Sequence, residues 1–178
     1  MFMPRLLCLV VLGCCFAMNR LIASHTRNIF LKPGEVVVAY DPALVSSVLG
    51  SCVAVTLYSP GRQIGSICHA MMPDCGGQVD DLRYVDAAVG YIYRKMRAAG
   101  ATDLVVKLFG GAQVLDINNY SSEKMSVGEQ NVARAELALA ELGLVVAARD
   151  TGGLQGRKLF FCTRDGDVYL HRLNRGKM

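Results

Sequence analysis

A chain of 178 residues with 52% hydrophobic side chains is long enough to bury one core and too apolar to be intrinsically disordered. Its 19 basic residues exceed its 15 acidic ones, but Arg5, Arg20, Arg27 and Lys32 all precede the first acid, Glu35; the balance beyond that point is 15 to 15, which excludes a uniformly basic nucleic-acid-binding domain. Seven cysteines, an odd count in a chain this long, argue against a disulfide scaffold and for reduced thiols.

Residues 1–29 read as a leader or as an extension upstream of the natural start. Arg5, the apolar run Leu6 to Leu12 and the small residues before Met18 have the parts of a secretory signal, and Val11-Leu12-Gly13-Cys14 resembles a lipoprotein cleavage box. The run is shorter than the roughly 20 apolar residues that a permanent membrane helix needs. A start at Met18 is the alternative. No repeat, low-complexity tract or Pro/Ser-rich linker divides the rest, so residues 30–178 read as a single domain.

Strands are predicted at 35–40 (EVVVAY), 53–58 (VAVTLY) and 63–72 (QIGSICHAMM), the last two joined into a hairpin by the Ser59-Pro60-Gly61 turn. Val85, Ala88, Val89, Ile92 and Met96 share one face of a helix that stops at Gly100, and an apolar strand follows at 104–109. Ser126 and Glu129 form a capping box ahead of Val132, Ala135, Leu139 and Leu142, with the stop at Gly143 and a strand at 144–149. Strands at 159–163 and 167–173 close the chain around the tight turn Asp165-Gly166. About seven strands and two helices in this order predict an α+β domain with at least one largely antiparallel sheet.

Gly50-Ser51-Cys52 sets a thiol after a glycine turn at the mouth of the 53–58 strand, where N–H groups not used by a sheet can face a bound carbonyl. Cys52 reads either as a nucleophile or as a small buried residue at a strand start. His69 bears on that choice. In an antiparallel hairpin its strand end returns toward Cys52, where an imidazole can activate the thiol. His25 lies in the leader and His171 near the C-terminus, which leaves His69 as the best-placed partner; a hydrogen-bonded histidine on a half-buried strand is the plain alternative. A zinc site from Cys52, Cys68, His69 and Cys75 fits poorly, because neighbours on a strand face opposite ways and no C-x2-C knuckle is present. Phe109-Gly110-Gly111-Ala112 and Thr151-Gly152-Gly153 lack both phosphate-loop patterns and read as turns. Lys107 reads as an active amine or a paired lysine, and Arg157 as an anion binder or an ion-pair partner.

The residues now resemble a known family, the CheD chemoreceptor glutamine deamidases of bacterial chemotaxis. Leu49-Gly50-Ser51-Cys52-Val53-Ala54-Val55 is similar to the family's nucleophile motif, and His69 with Met72-Pro73 to its histidine segment, at a matching interval. The resemblance continues through Arg83-Tyr84-Val85-Asp86, Lys107 to Ala112, Val127-Gly128 with Asn131, Asp150 to Gly153, and Gly156-Arg157, covering about residues 32–173.

It implies hydrolysis of particular glutamine side-chain amides on methyl-accepting chemoreceptors, giving glutamates. It also implies a fold like the catalytic domain of the cytotoxic necrotizing factor toxins, packed β-sheets flanked by two main helices. Cys52 would be the nucleophile and His69 the base. The third polar residue, usually threonine, falls at Ser46, with Ser47 beside it. Serine keeps the hydroxyl and loses the stiff β-branched rotamer, which weakens the expectation that Ser46 orients His69. No metal or organic cofactor is implied, nor nucleic acid nor stable membrane insertion. The implied partners are the receptors and, in many members, the phosphatase CheC. Receptor glutamines lie in cytoplasmic helices, so a cytoplasmic location is expected and export is the lesser alternative. Two rival readings are a transglutaminase-like acyl transferase and a non-catalytic module that docks CheC or receptors.

Overall fold

The computed structural model describes residues 9–11 and 15–18 through their backbone and residues 19–77, 81–113 and 125–173 in full. Its elements, in chain order, are β1 (Leu9–Val11), α1 (Cys15–Ala23), β2 (Asn28–Phe30), β3 (Val36–Ala39), β4 (Leu44–Leu49), β5 (Val53–Ser59), β6 (Ile64–Ala70), α2 (Val85–Ala98), β7 (Val105–Gly110), α3 (Val127–Glu141), β8 (Val146–Thr151), β9 (Arg157–Cys162) and β10 (Val168–Arg172). Cys8, Cys14 and most of the leader's apolar run and cleavage box lie outside the described residues.

Strands covered on both faces read as unbroken runs of apolar and small residues. β5 and β6 are buried at every position and pair as the predicted antiparallel hairpin, from Val53↔Ala70 to Ser59↔Ile64. They lie at the heart of a five-stranded sheet of order β3-β6-β5-β7-β8, and the other five strands form a second sheet of order β1-β10-β9-β4-β2. Ala54, Ile67 and Phe109 from one sheet meet Val45, Leu49, Leu159, Phe161 and Val168 from the other. On the opposite face of the hairpin sheet, Val53, Val55, Cys68 and Leu108 pack against Val85, Val89, Ile92 and Met96 of α2 and against Ala135 and Leu139 of α3. The order is thus sheet, sheet, helices, the expected α+β architecture of packed sheets flanked by helices. α1 adds a layer beyond the second sheet, where Leu21 and Ile22 lie against Leu44, Phe160 and Cys162.

Both predicted helices form. α2 turns Val85, Ala88, Val89, Ile92 and Met96 inward. α3 starts on the predicted capping box, the Glu129 N–H donating to Ser126 Oγ at 3.2 Å and the Ser126 N–H to the Glu129 carboxylate at 2.7 Å, an arrangement worth about 1 kcal/mol. β4 has no counterpart among the predicted strands. Its sequence, LVSSVL, places two serines at its centre and carries no strand signal of its own; six register pairs with β9 draw it into the sheet. No helix among the described residues is long and apolar enough to cross a membrane.

Candidate active site

Cys52 is half-buried at the mouth of β5 and packs into the layer between the two sheets with Ala54, two residues on. The two therefore share a face. His69 sits opposite Ala54 in the β5–β6 ladder, so its ring lies on that face as well, diagonal to Cys52, the relation in which rings and longer side chains still meet. The hairpin register thus sets Cys52 and His69 on one face of the sheet.

A third side chain arrives from the facing sheet. Ser47 of β4 is fully buried, and its Oγ lies 2.8 Å from His69 Nδ1 and 2.8 Å from the Leu31 carbonyl. The carbonyl can only accept, so the single hydroxyl proton goes to Leu31 and Ser47 must accept from Nδ1–H. That fixes the tautomer: Nε2 carries the lone pair. It is buried and makes no hydrogen bond among the described residues, as a base awaiting a proton would be.

Here the expectation for Ser46 needs correction. Adjacent residues of a strand face opposite ways. Ser46 turns to the outer face of its sheet, where its hydroxyl donates to the Ile29 carbonyl at 3.4 Å, and the contact with His69 belongs to Ser47. The sequence names the serine pair but contains no signal for β4, and only the pleat of β4 selects between its members. Ser47→Ala is expected to lower turnover by about 10- to 100-fold, part of what a general base contributes, and Ser46→Ala by less than twofold. Steady-state kinetics on the two variants check this; equal effects would remove Ser47 from the site.

The charges suit a resting neutral pair. Burial holds the His69 imidazole below its ordinary value, opposed by the Leu31 carbonyl and the Glu35 charge. Burial raises the Cys52 thiol, opposed by the residue's own backbone amide. Both shifts favour the uncharged thiol and the uncharged imidazole.

The two glycine loops support this corner. The Gly111 N–H donates to the Cys52 carbonyl and the Ala112 N–H to the Gly50 carbonyl, both at 2.8 Å. The Gly152 N–H in turn donates to the Gly110 carbonyl at 2.9 Å, and the Gln113 N–H to the Gly153 carbonyl at 2.8 Å. Arg157 is fully buried and ties the second loop down, pairing with the Asp150 carboxylate and donating to the Asp150 and Gly152 carbonyls. Its role is an internal ion pair rather than capture of an anion. Lys107 donates to the Gly166 carbonyl at 2.9 Å. Cys68 lies in the helix-side core with its thiol pushed up to about 12 by burial, on the other face from His69. Cys75 donates to Asp86 at 3.3 Å. A cavity of about 440 Å³ between α2, α3 and the loop from Asp74 to Gly77 includes none of Ser47, Cys52 and His69 in its lining. Its Arg134 is paired with Asp74, Asp86 and Glu141.

Comparison with known proteins adds an independent line. Residues 71–172 match the family model described as CheD chemotactic sensory transduction. The chain is 45% identical over 157 residues to a Geobacter sulfurreducens protein named "Probable chemoreceptor glutamine deamidase CheD 2", covering 86% of this chain and 96% of that one. Proteins named "Probable chemoreceptor glutamine deamidase CheD" match at 40% over 163 residues in Maridesulfovibrio salexigens, covering 85% and 95%, and at 34% over 151 residues in Pyrococcus horikoshii, covering 82% and 92%. Among solved structures, the Bacillus licheniformis hypothetical protein YfiH overlaps with a TM-score of 0.42 at 13% identity, over 67% of this chain and 49% of that one.

Proposed function

The chain belongs to the CheD family, and from that premise we propose that it hydrolyses glutamine side-chain amides of chemoreceptors to glutamates through a thioester on Cys52. The observation that carries the reading is the free lone pair of His69 Nε2, fixed by Ser47, on the sheet face that Cys52 shares.

The reaction runs in two halves. His69 Nε2 takes the Cys52 proton, and the sulfur attacks the carboxamide carbon. We assign the oxygen that becomes negative to the strand-edge N–H groups between Gly50 and Val53. As the C–N bond breaks, the imidazolium returns its proton to the leaving nitrogen and ammonia departs. Water then loses a proton to the same Nε2 and attacks the thioester; the C–S bond breaks, the sulfur recovers the proton, and glutamate is released. Burial of the imidazolium is offset while it lasts by the Leu31 carbonyl and Glu35. We place the protein in the cytoplasm, where receptor glutamines are reached; the family resemblance implies CheC as a second partner.

Incubation with receptor fragments followed by peptide mass mapping tests the proposal. Conversion of discrete glutamines to glutamate supports it, and unchanged peptides, or amine incorporation in place of hydrolysis, would sink it.

The pH dependence follows from the two shifts. Protonated His69 cannot accept the thiol proton, and its value is lowered, so the acid limb of kcat/KM falls below about pH 6.5. The thiol is raised, so the alkaline limb, where the imidazole no longer receives a proton to pass to ammonia, lies above about pH 8.5. A flat profile between them is expected. A preformed thiolate–imidazolium pair would instead keep activity down to about pH 4.

A further inference from the structure

Asn131 of α3 is fully buried, and nothing in the chemistry above uses it. Its Nδ2 donates to the Ser51 carbonyl at 3.0 Å and to the Met71 carbonyl at 2.9 Å. The amide has one orientation: both partners are carbonyl oxygens, which only accept, so the nitrogen must face them. Oδ1 is left buried without a hydrogen bond among the described residues. A buried acceptor with no partner is costly and calls for a reason.

The two carbonyls supply it. Ser51 immediately precedes Cys52, and Met71 follows His69 by two residues. The β5–β6 ladder stops at Val53↔Ala70, so Cys52 and Met71 would form the next rung, and the asparagine amide closes that open end in place of a strand hydrogen bond. The side chain is itself held in register, because α3 is seated on the nucleophile's supporting loop: a Cβ on Gly128, one turn earlier, would come within 2.6 Å of the Gly111 carbonyl oxygen.

We infer that Asn131 is a positioning residue, a clamp between the loop that carries the thiol and the strand exit that carries the base, which keeps Cys52 and His69 at their working separation. The inference rests on the thiol–imidazole reading above. Its test reads thiol chemistry as well as deamidation, so that failure of one is distinguished from failure of the other.

Asn131→Ala is compared with wild type in kcat and KM on receptor fragments, and in the rate of iodoacetamide alkylation of Cys52 against pH, read on the Cys52 peptide, with His69→Ala as the reference for an unassisted thiol. The expected result is a kcat lower by about 10- to 100-fold at unchanged KM, since displacement of a reacting group by about 1 Å costs up to that much. The alkylation profile should lose its histidine-dependent limb and follow that of His69→Ala. Leu139→Ala, another buried position of α3, is the stability control, expected to lower Tm and leave both readouts of the folded protein unchanged. Asn131→Ser, with one donor in place of two, serves if the alanine variant does not fold. Wild-type kcat and alkylation in either folded variant overturn the inference, and so does failure of both to fold, which would assign the amide to stability alone. Histidine-dependent alkylation in a wild type that converts no receptor glutamine would overturn the deamidase reading and leave the clamp to be judged on the alkylation result.

Discussion

Cys52→Ala is expected to fold as the wild type does and to convert no receptor glutamine above background, a loss on the order of 10⁶ in kcat, the scale on which removal of a nucleophile acts. Truncation removes one half-buried sulfur at a strand mouth, a burial loss of about 1 kcal/mol, so stability should hardly change. His69→Ala removes the base and keeps the thiol, so its loss should be smaller, about 10²- to 10⁴-fold. The double variant should be no worse than Cys52→Ala, because the two residues act as a unit. Mass mapping of receptor peptides after long incubation, beside a thermal melt of each variant, checks the set. Conversion by Cys52→Ala within tenfold of wild type would remove the thioester from the mechanism.

The second large effect is expected from a residue with no side chain. Gly110 ends β7 opposite Val53, at a φ of +106°. A Cβ there would collide with the Cys52 carbonyl oxygen and sit 3.0 Å from the Val53 Cα, both of them backbone atoms with nowhere to move. Gly110→Ala must therefore displace the Cys52 loop or unpair β5 from β7. We expect a cost of about 4 kcal/mol, at the upper end of single substitutions, and a fall in Tm of about 10 °C. Turnover of the remaining folded protein should fall with it, because the displaced atoms belong to Cys52, the proposed nucleophile, and to its neighbour Val53. Gly76→Ala separates strain from collision: its φ is +57°, but among the described residues beyond its chain neighbours no atom lies within 4 Å of the added carbon, so a loss of about 1 kcal/mol with full activity is expected. Similar melts for the two variants would show that the Cys52 loop yields, contrary to this account.

How far the fold was legible depends on where each element's signal resides. β5, β6, α2 and α3 carry theirs locally, as an apolar run closed by a turn, a helical stripe or a capping box, and each was found near its observed bounds. The shared face of Cys52 and His69 is legible for the same reason, since one hairpin relates them and its register follows from its turn. Ser47 was not. Its selection over Ser46 depends on the pleat of β4, and β4 exists because β9, more than a hundred residues later, pairs with it. Arg157 was ambiguous for a related reason: whether a carboxylate or a ligand meets it depends on the path of the chain between Asp150 and Gly156. The glycine pairs at 110–111 and 152–153 read locally as turns. That the two turns are hydrogen-bonded to each other and to the nucleophile's loop is a tertiary fact without a local mark.

The thiol and the imidazole come from a single hairpin, whereas the hydroxyl that fixes the proton on Nδ1 comes from the opposite sheet. Assembly of the pair is a short-range event, and its competence is a long-range one. A chain with the hairpin formed and the sheets not yet docked holds a cysteine and a histidine side by side, with the imidazole free to carry its proton on either nitrogen. On the proposed mechanism, reactivity toward amides would follow docking of the sheets, and a loosened protein would lose it before the hairpin came apart. On that reading, turnover would double as a gauge of tertiary closure.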